Sequence, residues 1–227
     1  MKTHSAWRIV SSIFLSLACI IVACPNARSQ GVLYSQPFVD QLADPSSFSP
    51  YTAVYDDFTL AAGGTIGAVD WTGYVDLYAS GGGVNGFTIG IWSDQGGLPG
   101  TLLADESVTG TANQTFVGAA YFNANLLIYN YSSVFSSPFQ AAPGTTYLLS
   151  VVANGIAGSG YWIWATSSTG NFGAIDIEYG NVLSKVQLPG TAFSLLEAPE
   201  PSTLCLLTMG GVALCLKTLG DRRAWQS

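Results

Sequence analysis

Between residues 31 and 196 apolar positions come in short runs of β-branched and aromatic residues separated by Gly, Pro and Asn, two of them with a clear period of two, and no segment of useful length shows the 3.6-residue period of a helix. Phe87, Ile89 and Ile91 alternate with Thr88, Gly90 and Trp92, and Tyr147, Leu149 and Val151 repeat the pattern. That alternation marks strands with one buried face, because successive side chains leave a strand on opposite sides. Short runs rich in β-branched and aromatic residues predict strands at 53–60, 65–74, 86–93, 102–108, 115–122, 127–135, 146–153, 161–165, 174–179, 182–187 and 192–196. Gly81-Gly82-Gly83 and Gly96-Gly97-Leu98-Pro99-Gly100 read as turns. The spacing predicts an all-β sandwich.

The two ends break this pattern. A basic start, Lys2 to Arg8, precedes an apolar stretch from Ile9 to Ala23, the order of a secretory signal peptide. Ala27-Arg28-Ser29 places small residues where a signal peptidase reads, so cleavage is expected before Gln30. The alternative is a lipoprotein box, Ile21-Val22-Ala23-Cys24. At the other end, residues 203–220 form an apolar run. As a helix it would span roughly 27 Å, enough for a bilayer core. Lys217 lies near its end, where a long side chain can reach the interface, and Arg222 and Arg223 follow. Basic residues stay cytoplasmic, so the body is expected outside. The expected organisation is a signal peptide at 1–29, a β-sandwich at 30–197 and a tail at 198–227.

Charge divides the chain in the same way. Lys2, Arg8, Arg28, Lys217, Arg222 and Arg223 lie in the terminal segments; between residues 30 and 198 Lys185 is the single cation against twelve carboxylates, a net charge near −11. Such a body repels nucleic acid and anionic membranes. All four cysteines and His4 are also terminal, so the body has no disulfide framework, no thiolate zinc site and no histidine base. Charged residues are 9% of the chain and its mean hydropathy is +0.35, raised by the apolar ends.

The tail carries a resemblance. Pro199-Glu200-Pro201-Ser202, an apolar helix and a short basic end resemble the PEP-CTERM sorting domain of Gram-negative bacteria over about 25 residues. The resemblance implies that Pro199, Glu200 and Pro201 are the motif read by an exosortase-type enzyme, with Arg222 and Arg223 as the basic stop. It implies an inner-membrane-anchored precursor that passes to the cell envelope or the extracellular polysaccharide matrix. Physically, two prolines hold the chain extended and expose Glu200. In the body, Val54-Tyr55-Asp56-Asp57-Phe58 with Trp71-Thr72-Gly73, and Phe87-Thr88-Ile89 with Asp94-Gln95-Gly96-Gly97-Leu98-Pro99-Gly100, look like secreted bacterial jelly-roll domains. That resemblance implies a jelly-roll-like sandwich and no particular activity.

Candidate chemistry in the body rests on carboxylates and aromatics. Asp56-Asp57 and the pair Asp176/Glu178 are the material for a glycosidase-type acid and base. Adjacent Asp56 and Asp57 face opposite sides of a strand, whereas Asp176 and Glu178 share one. Asp56, Asp57 and Asp176 are also candidates for a calcium site; no other cofactor is expected. Trp162 and Trp164 share a strand face and are candidate carbohydrate contacts, with core packing as the alternative; Trp71 and Trp92 lie in other strands. The leading expectation is a non-enzymatic surface or matrix protein. A carbohydrate-binding module is the alternative, and a carboxylate-dependent glycoside hydrolase comes third.

Overall fold

The computed structural model describes residues 30–39, 53–76, 84–121, 123–155, 162–169, 175–178, 182–185 and 190–198. The expected signal peptide, the tail with Pro199, Glu200, Pro201, Arg222 and Arg223, and the turn at Gly81-Gly82-Gly83 lie outside them. Gln30–Ala198 forms one compact unit. Among the described residues there are twelve strands and no helix: β1 (Val32–Gln36), β2 (Val54–Thr59), β3 (Gly64–Asp76), β4 (Gly86–Asp94), β5 (Pro99–Thr109), β6 (Thr115–Ala120), β7 (Asn123–Ala141), β8 (Thr146–Ala153), β9 (Trp162–Trp164), β10 (Ile175–Glu178), β11 (Val182–Lys185) and β12 (Phe193–Glu197). None of these residues therefore forms a helix long and apolar enough to cross a membrane.

The strands make two antiparallel six-stranded sheets. The first runs β1-β12-β3-β7-β6, with β9 also on β3; the second runs β11-β10-β2-β8-β4-β5. Four pairings join distant parts of the chain in nested order: β1 with β12, β2 with β8, β3 with β7, and β4 with β5. Two more, β12 with β3 and β8 with β4, close each sheet. The all-β expectation holds, and the strands at 86–93 and 146–153 appear almost residue for residue.

Two elements differ from expectation. β1 was not signalled by periodicity, since Val32, Leu33 and Tyr34 are consecutive apolar residues; pairing with β12 makes it a strand. β7 runs 19 residues, although Pro138 cannot donate to a ladder. Pro138 falls between Val134 and Phe139, where the register with β3 shifts and the described residues give it no cross-strand partner, so its missing donor interrupts no ladder pair.

The core lies between the sheets. Val69, Trp71 and Val75 of β3 face Phe87, Ile89 and Ile91 of β4 and Tyr147, Leu149 and Val151 of β8. Burying each large apolar side chain contributes about 1.5–3 kcal/mol. Phe87 meets three rings of the first sheet edge-on: Trp71 at 5.0 Å, Tyr131 at 4.9 Å and Trp162 at 5.2 Å between centroids. At the open side, half-buried Glu106 of β5 accepts a hydrogen bond from the Ser136 amide of β7 at 2.6 Å. An inward-reaching charge on an edge strand also opposes edge-to-edge association.

Candidate functional site

The alternation that turns Val69 and Trp71 of β3 inward turns Asp70 and Thr72 outward. Register then aligns polar residues across four strands. Ser35 of β1 lies opposite Ser194 of β12, Ser194 opposite Asp70, and Asp70 opposite Ser132 of β7. Two residues along, Thr72 lies opposite Asn130 of β7, and Asn130 opposite Thr115 of β6. Strands are about 4.8 Å apart, so the first row spans roughly 14 Å. The Ser35 and Ser194 hydroxyls are 2.8 Å apart, and Thr72 Oγ1 donates to Asn130 Oδ1 at 2.9 Å.

Ser194, Asp70 and Ser132 of the first row and Thr72, Asn130 and Thr115 of the second line a groove of about 390 Å³ together with Pro37, Phe38 and Asn113, and Ser35 continues the first row beyond it. Phe38 is fixed edge-on to Tyr74 at 6.1 Å. Asn113 stands on a turn in which Ala112 (φ 46°) and Asn113 (φ 50°) both occupy the left-handed region. Backbone held there costs roughly 1–3 kcal/mol at a non-glycine residue. The turn is secured by Ser132 N donating to Ala112 O at 3.0 Å. Asp70 is the one carboxylate among the residues lining the groove, and partial burial raises its pKa above the usual carboxylate value. The groove thus offers hydroxyls, the side-chain amides of Gln36, Asn113 and Asn130 and one carboxylate on a sheet face, a set that suits a neutral polyhydroxylated ligand.

The residues singled out from sequence fall elsewhere. Trp162 and Trp164 are 0% and 1% exposed and belong to the core cluster. Neither presents a face to a sugar, so the expected carbohydrate contact there is corrected. Both rings are drawn inward because β9 joins β3 with these side chains on the inner face.

Asp56 is fully buried between the sheets, whereas Asp57 is half-buried on the other side of β2, so the two do not converge. Asp56 Oδ2 accepts from both the amide and the hydroxyl of Thr191, the latter at 2.8 Å. The Gln36 amide satisfies its neighbours when its oxygen accepts from the Tyr34 hydroxyl (3.0 Å). Its nitrogen then reaches Thr191 O (3.0 Å), Thr169 O (3.1 Å) and Asp56 Oδ2 (3.2 Å). Among the described residues Asp56 Oδ1 has no hydrogen-bond partner. Burial pushes the Asp56 carboxyl up to about 6 against the pull of the Thr191 hydrogen bonds, and nearby Asp57 adds to the rise. Asp176 is opposite Val54 in register, and its side chain lies outside the described residues, as does that of Glu178. Among the described residues no three acidic, cysteine or histidine side chains converge as a metal site.

Sequence reasoning missed Asp70, Ser132, Ser194 and Asn130. The available signal was local alternation: Asp70 and Thr72 flank inward Trp71, Ser194 lies between inward Phe193 and Leu195, and Asn130 and Ser132 flank inward Tyr131. No family model matches the chain, and no curated protein matches it.

Proposed function

We propose that the chain is an exported, non-enzymatic surface or matrix protein whose body is a jelly roll that contacts a neutral glycan through the outer groove of the first sheet. The observation that carries the glycan reading is the pair of polar rows, Ser35–Ser194–Asp70–Ser132 and Thr72–Asn130–Thr115, on one rigid face. The nested pairings support the jelly roll: a long two-layered hairpin, rolled up, gives the orders β1-β12-β3-β7 and β2-β8-β4-β5. β6, β9, β10 and β11 are then additions to those eight strands. Binding is favoured over glycoside hydrolysis because that reaction uses two carboxylates about 5–10 Å apart, and the groove lining brings one, Asp70. The Pro199-Glu200-Pro201 motif, the apolar run and the arginines support delivery by exosortase-type sorting.

A glycan array probed with the purified chain tests the binding role. Retention of neutral oligosaccharides, lost in Asp70→Asn with Thr72→Ala, is the expected result; no retention of any glycan rejects the role. The sorting role has its own test. In a host that carries an exosortase, intact mass should show loss of residues 203–227, and their retention counts against it.

A further inference from the structure

We infer that Trp92, on the outer face of the second sheet, is a second sugar-contact surface that stacks against the apolar face of a neutral pyranose, so that one body holds two glycan chains. The inference rests on the glycan reading above. Trp71, Trp162 and Trp164 are at most 2% exposed, whereas Trp92 is only partly buried. Its inward neighbours in β4 are Ile89 and Ile91, so the ring lies on the outside.

The indole is held down on the sheet rather than projecting from it. A Cβ at Gly90 would come within 2.6 Å of Trp92 Nε1, so the absence of that carbon is what lets the ring lie against the strand. Nε1 donates to Ser150 Oγ of β8 at 3.0 Å. Tyr55 braces the ring edge-on at 5.7 Å and 76°, with Leu148 and Leu98 packed beside it. A ring fixed before the ligand arrives loses little entropy on binding.

Polar partners flank it. Asp57 stands in the same cross-strand row, through Leu148, and exposed Asp105 lies opposite Gly90. Carboxylates accept hydrogen bonds from sugar hydroxyls and repel uronic acids. With Lys185 the single cation between residues 30 and 198, charge selects a neutral glycan. This surface and the Asp70 groove are on the outer faces of opposite sheets sharing one core, a placement suited to cross-linking polysaccharide.

The test uses the purified full chain with dextran, mannan and hydroxyethyl cellulose as neutral probes and alginate as the acidic one. The expected wild type binds a neutral polymer at two sites per chain with a shift in tryptophan fluorescence, ignores alginate, and makes the mixture turbid. Trp92→Ala should lose one site, the fluorescence shift and the turbidity. Residual affinity at the lost site should fall roughly tenfold or more, while Trp92→Phe keeps part of it. Unchanged stoichiometry and spectrum in a folded Trp92→Ala overturn the second surface and leave the groove standing. Loss of the groove alone in Asp70→Asn with Thr72→Ala, Trp92 binding persisting, supports it. A wild type that retains no neutral polymer overturns the glycan reading and this inference with it.

Discussion

Two glycines in this sandwich each give an indole a place to lie, one inside and one outside. In the core, Trp162 of β9 lies against Gly73 of β3, where a Cβ would be 2.4 Å from Nε1. On the outer face, Trp92 lies against Gly90 of the same strand, where a Cβ would be 2.6 Å away. The local device is the same and the outcome is opposite. Trp162 is fully buried among Phe87 and Tyr131; Trp92 keeps part of its surface in water. The presence of tryptophan therefore does not say whether a ring is core or platform. The side of the sheet decides.

The largest effects should come from the inner member. Trp162→Ala is expected to cost about 4 kcal/mol, because a large cavity opens in a close-packed layer. Gly73→Ala should cost about 3 kcal/mol, since neither strand nor ring has room to move. Urea midpoints measure both, and losses below about 1 kcal/mol would show that this layer is loosely packed.

The same inside–outside contrast separates two carboxylates. Asp56 keeps its proton to about 6 when folded and to 3.8 when unfolded. Between those values the folded state holds a proton that the unfolded state has released, so stability falls as pH rises through the window. The fall should reach about 3 kcal/mol by neutral pH. Asp56→Asn should flatten the slope of urea midpoint against pH between 4 and 6; an unchanged slope would assign it to another group.

Smaller effects belong to the outer face. Gly90→Ala should cost about 1 kcal/mol, because Trp92 can swing toward solvent, and its fluorescence should shift to the red. A cost equal to that of Gly73→Ala would erase the difference between the two pairs. Asp70→Asn should change stability by less than about 0.5 kcal/mol and act on glycan binding alone, as expected for a half-buried surface group.

Much of this was legible locally. The inward set Phe87, Ile89 and Ile91 and the outward position of Trp92 over Gly90 both follow from alternation within one strand. Of the turn expected at Gly96 to Gly100, the glycines themselves signal Gly96 and Gly97, with φ of 70° and 83°, whereas Pro99 and Gly100 already belong to β5 through its pairing with β4. The groove was not legible. Ser35 and Ser194 are 159 residues apart, and nothing near either one tells of the other. Asp56 was seen as a candidate ligand, but its burial depends on Thr191, 135 residues away.

The chain by itself thus determined most of the strands, the buried faces of β4 and β8 and the near-absence of cations from the body, because these depend on composition and on a two-residue period. Only the tertiary structure decided which outward residues became neighbours and which tryptophans were covered. Register between strands distant in sequence is settled by how the two sheets bury their common core, and a shift of one residue would have turned every one of these side chains to the other face.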